Sequence, residues 1–87
     1  MTTYMVERSL AGISMEDLGG AQKAAIAKAA EMTAAGTEIG YIRSTFTPDD
    51  GRCMCLFDGK SVADVERLND EAGIPYDNVV EALDLTP

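Results

Sequence analysis

Tyr41-Ile42-Arg43-Ser44-Thr45-Phe46-Thr47-Pro48-Asp49-Asp50-Gly51-Arg52-Cys53-Met54-Cys55-Leu56-Phe57 is the stretch that decides the architecture of this chain. β-formers crowd both of its ends, and Pro48-Asp49-Asp50-Gly51 divides them. Proline presets φ for a turn and glycine supplies a positive φ, so the stretch predicts a β-hairpin. The first arm covers 38–47, with Gly40 as the expected bulge, and the second covers 52–57. That second arm is apolar on both faces, the pattern of an inner strand covered on both sides.

Outward from the hairpin, each arm leads to a helix and each helix to another strand. On the N-terminal side Ser14-x-x-Asp17 places a side-chain acceptor and an acid where orphan amides and the helix dipole favour both. Met15, Leu18, Ala25, Ile26, Ala29 and Met32 then fall at helical spacing, and Gly36 is the stop. Gly19-Gly20 interrupts this helix at about 1 kcal/mol per glycine relative to alanine. A close helix–sheet approach or a second helix start explains the pair better than a phosphate loop, since no G-x-G-x-x-G or Walker pattern surrounds it. On the C-terminal side Ser61-x-x-Asp64 repeats the cap, Val62, Val65, Leu68 and Ala72 form an apolar stripe, and Gly73 with Pro75 ends it. Tyr4–Arg8 reads as a first strand and Val79–Leu85 as a last one.

The order is β-α-β-β-α-β, an α+β ferredoxin-like arrangement of one domain over 1–87: a four-stranded antiparallel sheet with two helices on one face. The other face is bare in a monomer. So small a chain gains from extra burial, and a homodimer packing two sheets face to face, a dimeric α+β barrel, is the expected solution.

Seven basic and fifteen acidic residues give a net charge of −8, and there is no histidine. Nucleic acid and anionic membranes are excluded as partners, because both require clustered Lys and Arg. No apolar run approaches the roughly 20 residues of a spanning helix. The start of the chain lacks a basic region followed by an apolar one, and no disulfide is expected between Cys53 and Cys55; both point to the cytoplasm. Ten of the acids and three of the bases lie in 49–87, so the acidity reads as a solvated skin on one half of the domain.

Candidate chemistry is sparse. Cys53-x-Cys55 puts two thiols on one side of a strand, either as ligands for a soft cation or as small buried hydrophobes. Glu7, Arg43 and Glu81 are charges within strands, which either face water or are paired inside. Together with Tyr41 they form a candidate ligand-binding set if the second sheet face lines a dimer cavity, or else an ion-pair network holding the dimer. Without histidine, nucleophilic catalysis of the Ser-His-Asp or Cys-His kind is excluded.

Val6-Glu7-Arg8, Tyr41-Ile42-Arg43-Ser44-Thr45-Phe46, Cys55-Leu56-Phe57, and Asn69-Asp70-Glu71-Ala72-Gly73-Ile74-Pro75 followed by Val79-Val80-Glu81-Ala82-Leu83 resemble, in order and spacing, a family of small bacterial proteins. That family is catalogued as a domain of unknown function and includes members described as nickel-binding. The resemblance spans nearly the whole chain and implies a ferredoxin-like homodimer. It implies a transition metal such as nickel as cofactor, with Cys55 the one position carried over as a ligand. The expected function is thus a cytoplasmic, non-catalytic homodimeric binding protein with a ligand or metal in an intersubunit cavity. The alternative is a cofactor-independent α+β-barrel enzyme (monooxygenase, isomerase or cyclase). In that enzyme Arg43 holds an anionic group, Glu7 is the base and Tyr41 orients a small organic substrate.

Overall fold

The computed structural model describes all 87 residues. Its elements are β1 (Thr2–Ser9), α1 (Met15–Ala34), β2 (Gly40–Thr47), β3 (Arg52–Gly59), α2 (Val62–Ala72) and β4 (Asn78–Ala82). The strands form one antiparallel sheet in the order β2-β3-β1-β4, with β3 and β1 inside. This is the ferredoxin-like arrangement the sequence predicts. No helix is long and apolar enough to cross a membrane.

The local signals act as their chemistry requires. The Ser14 hydroxyl accepts from the Asp17 amide at 3.0 Å, and the Ser61 hydroxyl accepts from the Asp64 amide at 3.1 Å. Both helices end on a positive-φ glycine with the paired bonds of a Schellman motif. Thr37 donates to Met32 and Gly36 to Thr33; Ile74 donates to Asn69 and Gly73 to Asp70. In the hairpin turn the Gly51 amide donates to the Thr47 carbonyl at 2.9 Å. Gly51 is doubly constrained: its φ is +72°, and a Cβ there would lie 2.3 Å from the Ala11 Cα.

Four expectations change. Gly19-Gly20 neither breaks α1 nor lets it approach the sheet, because the helix is continuous and a Cβ on either glycine meets nothing within 4 Å. The bulge lies between Tyr41 and Arg43, and Gly40 itself pairs with Asp58 in regular register. β4 stops at Ala82, leaving Leu83 and Leu85 exposed. The α1 stripe is also exposed at Met15 and at Ile26, while Ala25, Ala29 and Met32 carry the buried contact.

Strand pairing sorts residues between the two faces, since directly opposed residues share one. Tyr4, Val6 and Arg8 of β1, Cys53, Cys55 and Phe57 of β3, and Ser44 and Phe46 of β2 share the helix side. There Phe57, Val6, Val65 and Leu68 are completely buried and form the centre of the core. Met5, Met54, Leu56 and Val80 lie on the opposite, uncovered face and are half-buried. β3 is thus an inner strand covered on one side only within this chain.

Candidate functional site

A cavity of about 170 Å³ opens between the first half of α1 and the sheet. Leu18, Ala21 and Gln22 of α1 form one wall, and Ser44, Phe46, Cys53 and Cys55 form the sheet wall. Leu10 and Ile74 close it, and Arg8 contributes the one charge in its lining. The opening follows from small side chains. Ala21 lies between Leu18 and Gln22 on the helix wall, and the small side chains of Cys53 and Cys55 lie on the sheet wall.

Arg8 is 4% exposed, on the same side of β1 as Tyr4 and Val6. Its Nη1 donates to Asn69 Oδ1 at 2.9 Å and to the Pro75 carbonyl at 3.2 Å. Asn69, itself fully buried, is held by donating to the Val65 carbonyl one turn earlier in α2 at 2.8 Å. A second polar chain runs along the sheet wall. Gln22 Nε2 donates to Tyr41 Oη at 2.9 Å, and Tyr41 Oη lies 2.5 Å from Ser44 Oγ. Ser44 Oγ donates to Cys55 Sγ at 3.0 Å. The bulge after Tyr41 makes this possible by bringing Tyr41 and Ser44, three residues apart, to one face. The Tyr41 ring also meets Phe57 edge to face at 5.5 Å.

Cys53 and Cys55 are free thiols, both buried, with sulfurs 3.7 Å apart. Burial, reinforced by the neighbouring Cys55, pushes the Cys53 thiol up to about 11, and Arg8 opposes the shift only in part. Cys53 therefore keeps its proton at neutral pH, which makes it a poor nucleophile.

The ligand set expected from the sequence is not brought together. Glu7 and Arg43 lie on the open face, whereas Tyr41 and Cys55 face the helices. Glu81 shares the helix-side parity but is exposed on the edge strand. Glu7 accepts from Asn78 Nδ2 at 3.3 Å. Arg43 Nη1 donates to both carboxylate oxygens of Asp84 at 2.7 Å. Because β2 and β4 are opposite edges, that ion pair brings the segment after β4 across the open face. The enzyme alternative needs Arg43, Glu7 and Tyr41 around one substrate, and the sheet separates Tyr41 from the other two. The ligand set expected from the sequence left out Arg8, Asn69, Ser44 and Gln22. Arg8 shares the Tyr4–Val6 parity, but the strand alone does not say which parity turns inward; Asn69 was detectable as a polar residue on the Val65–Leu68 stripe. Ser44 required knowledge of the bulge.

This geometry defines a small ferredoxin-like domain with an intrachain cavity. The sequence profile of the SCO4226-like nickel responsive protein family matches residues 4–82, and the chain belongs to that family. A solved structure, that of SCO4226 from Streptomyces coelicolor A3(2), superposes with a TM-score of 0.80. It is 23% identical and covers 98% of this chain and 99% of its own, a likeness of fold. No curated protein matches the chain in sequence.

The family description raises the question of nickel. No group of three or more His, Cys, Asp or Glu is placed to hold a metal ion. Cys53 and Cys55 supply two sulfurs and no third donor, beside a buried guanidinium that repels a cation. The residues of one chain do not fit a resident nickel ion.

Proposed function

We propose that this chain is a non-catalytic, homodimeric binding protein that holds a small ligand in the cavity between α1 and the sheet. The cavity itself carries the proposal: it joins apolar walls to a few fixed polar groups, the usual make-up of a small-molecule site. The lining contains no carboxylate and no histidine, and its one strongly shifted group, Cys53, is held protonated. Binding is supported over catalysis because no general base faces the space. Dimerisation through the open face fits the apolar strip of Met5, Met54, Leu56 and Val80. Glu7 and Arg43 beside that strip offer opposite charges to a second copy. In such a dimer the cysteines stay on the far side of each sheet, so the two copies do not pool their thiols for a metal.

The test is to fill the cavity. Wild type and Ala21→Phe are compared by ligand-observed NMR against a set of small organic molecules. Binders of the wild type should lose their signals with the folded variant. Binders indifferent to the substitution, or the absence of any binder, would overturn the proposal.

A further inference from the structure

Arg8 is the exception in this acidic molecule. It is a buried cation, none of the ion pairs involves it, and no acid lines the cavity it faces. A guanidinium removed from water without a counter-charge is costly, and buried charges are normally paired. The two bonds from Nη1, to Asn69 and to the Pro75 carbonyl, occupy both of that nitrogen's hydrogens and hold the guanidinium plane. Neither Nε nor Nη2 is tied to an oxygen of the protein, and the one further group beside the guanidinium is the weakly accepting Cys53 thiol. Since no fully enclosed polar side-chain atom lacks a partner, neither nitrogen is completely enclosed, and Arg8 borders the cavity. These two nitrogens form the edge of arginine whose parallel N–H bonds match the two oxygens of a carboxylate.

The remaining lining selects among anions. Seven of its ten residues are hydrophobic, so a bare inorganic oxyanion would leave most of the wall uncovered. One cation balances one negative charge, which disfavours a dianion. The Ser44 hydroxyl already donates to Cys55, leaving Arg8 as the main anchor. Taking the cavity as the ligand site proposed above, we infer that it binds a small organic monocarboxylate. Its two oxygens sit on Nε and Nη2 of Arg8, and its apolar body packs against Leu10, Leu18 and Phe46.

Sodium benzoate is the probe and benzamide its uncharged counterpart, each titrated into ¹⁵N-labelled protein at constant ionic strength. Benzoate should shift the amides around Leu10, Ala21 and Phe46 saturably, with benzamide weaker by roughly tenfold or more. Arg8→Lys keeps the charge but loses the two-pronged donor edge, and should weaken benzoate by a similar factor. Ala21→Phe keeps Arg8 and removes the space, so it decides the matter even if the Arg8 variant does not fold. Equal binding of benzamide and benzoate would overturn the carboxylate assignment while leaving a ligand cavity in place. Sulfate competing as well as benzoate would overturn the organic part. The absence of shifts with either probe would overturn the monocarboxylate inference, and if the broader set of organic molecules also fails, the cavity reading falls with it.

Discussion

Cys53 stands directly opposite Arg8 in the β1–β3 ladder, and their side chains share the cavity wall. The thiol's raised value gives a pH dependence whose sign is fixed. The ordinary value is 9.0 and the folded one about 11, so over that interval the unfolded chain releases a proton that the folded chain keeps. Stability is fully present below about pH 9 and falls as pH rises toward about 11. Urea midpoints measured across this range should decline more steeply for wild type than for Cys53→Ala, and parallel declines would contradict the shift. The cysteine pair was visible in the sequence, as was the choice between ligands and small hydrophobes. The partner that gives the pair its setting was not. Arg8 and Glu7 are adjacent charges at the end of one strand, and nothing in Tyr4-Met5-Val6-Glu7-Arg8 alone says which of the two turns toward the helices.

At the scale of elements, both helices were legible because their boundaries are local chemistry: Ser14 and Ser61 at the starts, Gly36 and Gly73 at the stops. Gly19 and Gly20 were legible as a departure from helix propensity, but their surroundings were not. They lie on a face of α1 with free space around them, so nothing in the packing demands glycine. Gly19→Ala and Gly20→Ala should each stabilise the fold by about 0.5–1 kcal/mol, chiefly by restricting the unfolded chain. Thermal or urea unfolding measures this, and a loss of stability would show that the open space is used in some other way. The strands were harder to delimit. Val79 to Leu85 carries a β-like pattern throughout, yet pairing with β1 ends at Ala82, opposite Thr3. The bulge is invisible for a similar reason. It is a mismatch in count between β2 and β3, which exists only once the two are paired.

The molecule as a whole has one covered sheet face and one uncovered face, and the half-buried residues of the latter bear on assembly. If Met5, Met54, Leu56 and Val80 meet a second copy, sedimentation equilibrium at micromolar concentration should give twice 9.3 kDa. Leu56→Glu, which places a charge where the monomer tolerates water, should return the mass to that of one chain without unfolding it. A monomeric wild type would exclude the assembly. The segment carrying Asp84 lies over this face and must move or join the interface, and Arg43→Ala tests its part by releasing it. The sequence alone determined the order of elements, the caps, the hairpin and the excess of acid, because each depends on residues near one another along the chain. Its zero count of histidine likewise removes the commonest metal ligand and catalytic base. Tertiary structure alone decided which charge is buried, where the cavity lies and why Glu7, Tyr41, Arg43 and Glu81 do not converge. Those outcomes depend on register, and a shift of one residue exchanges the two faces of a strand.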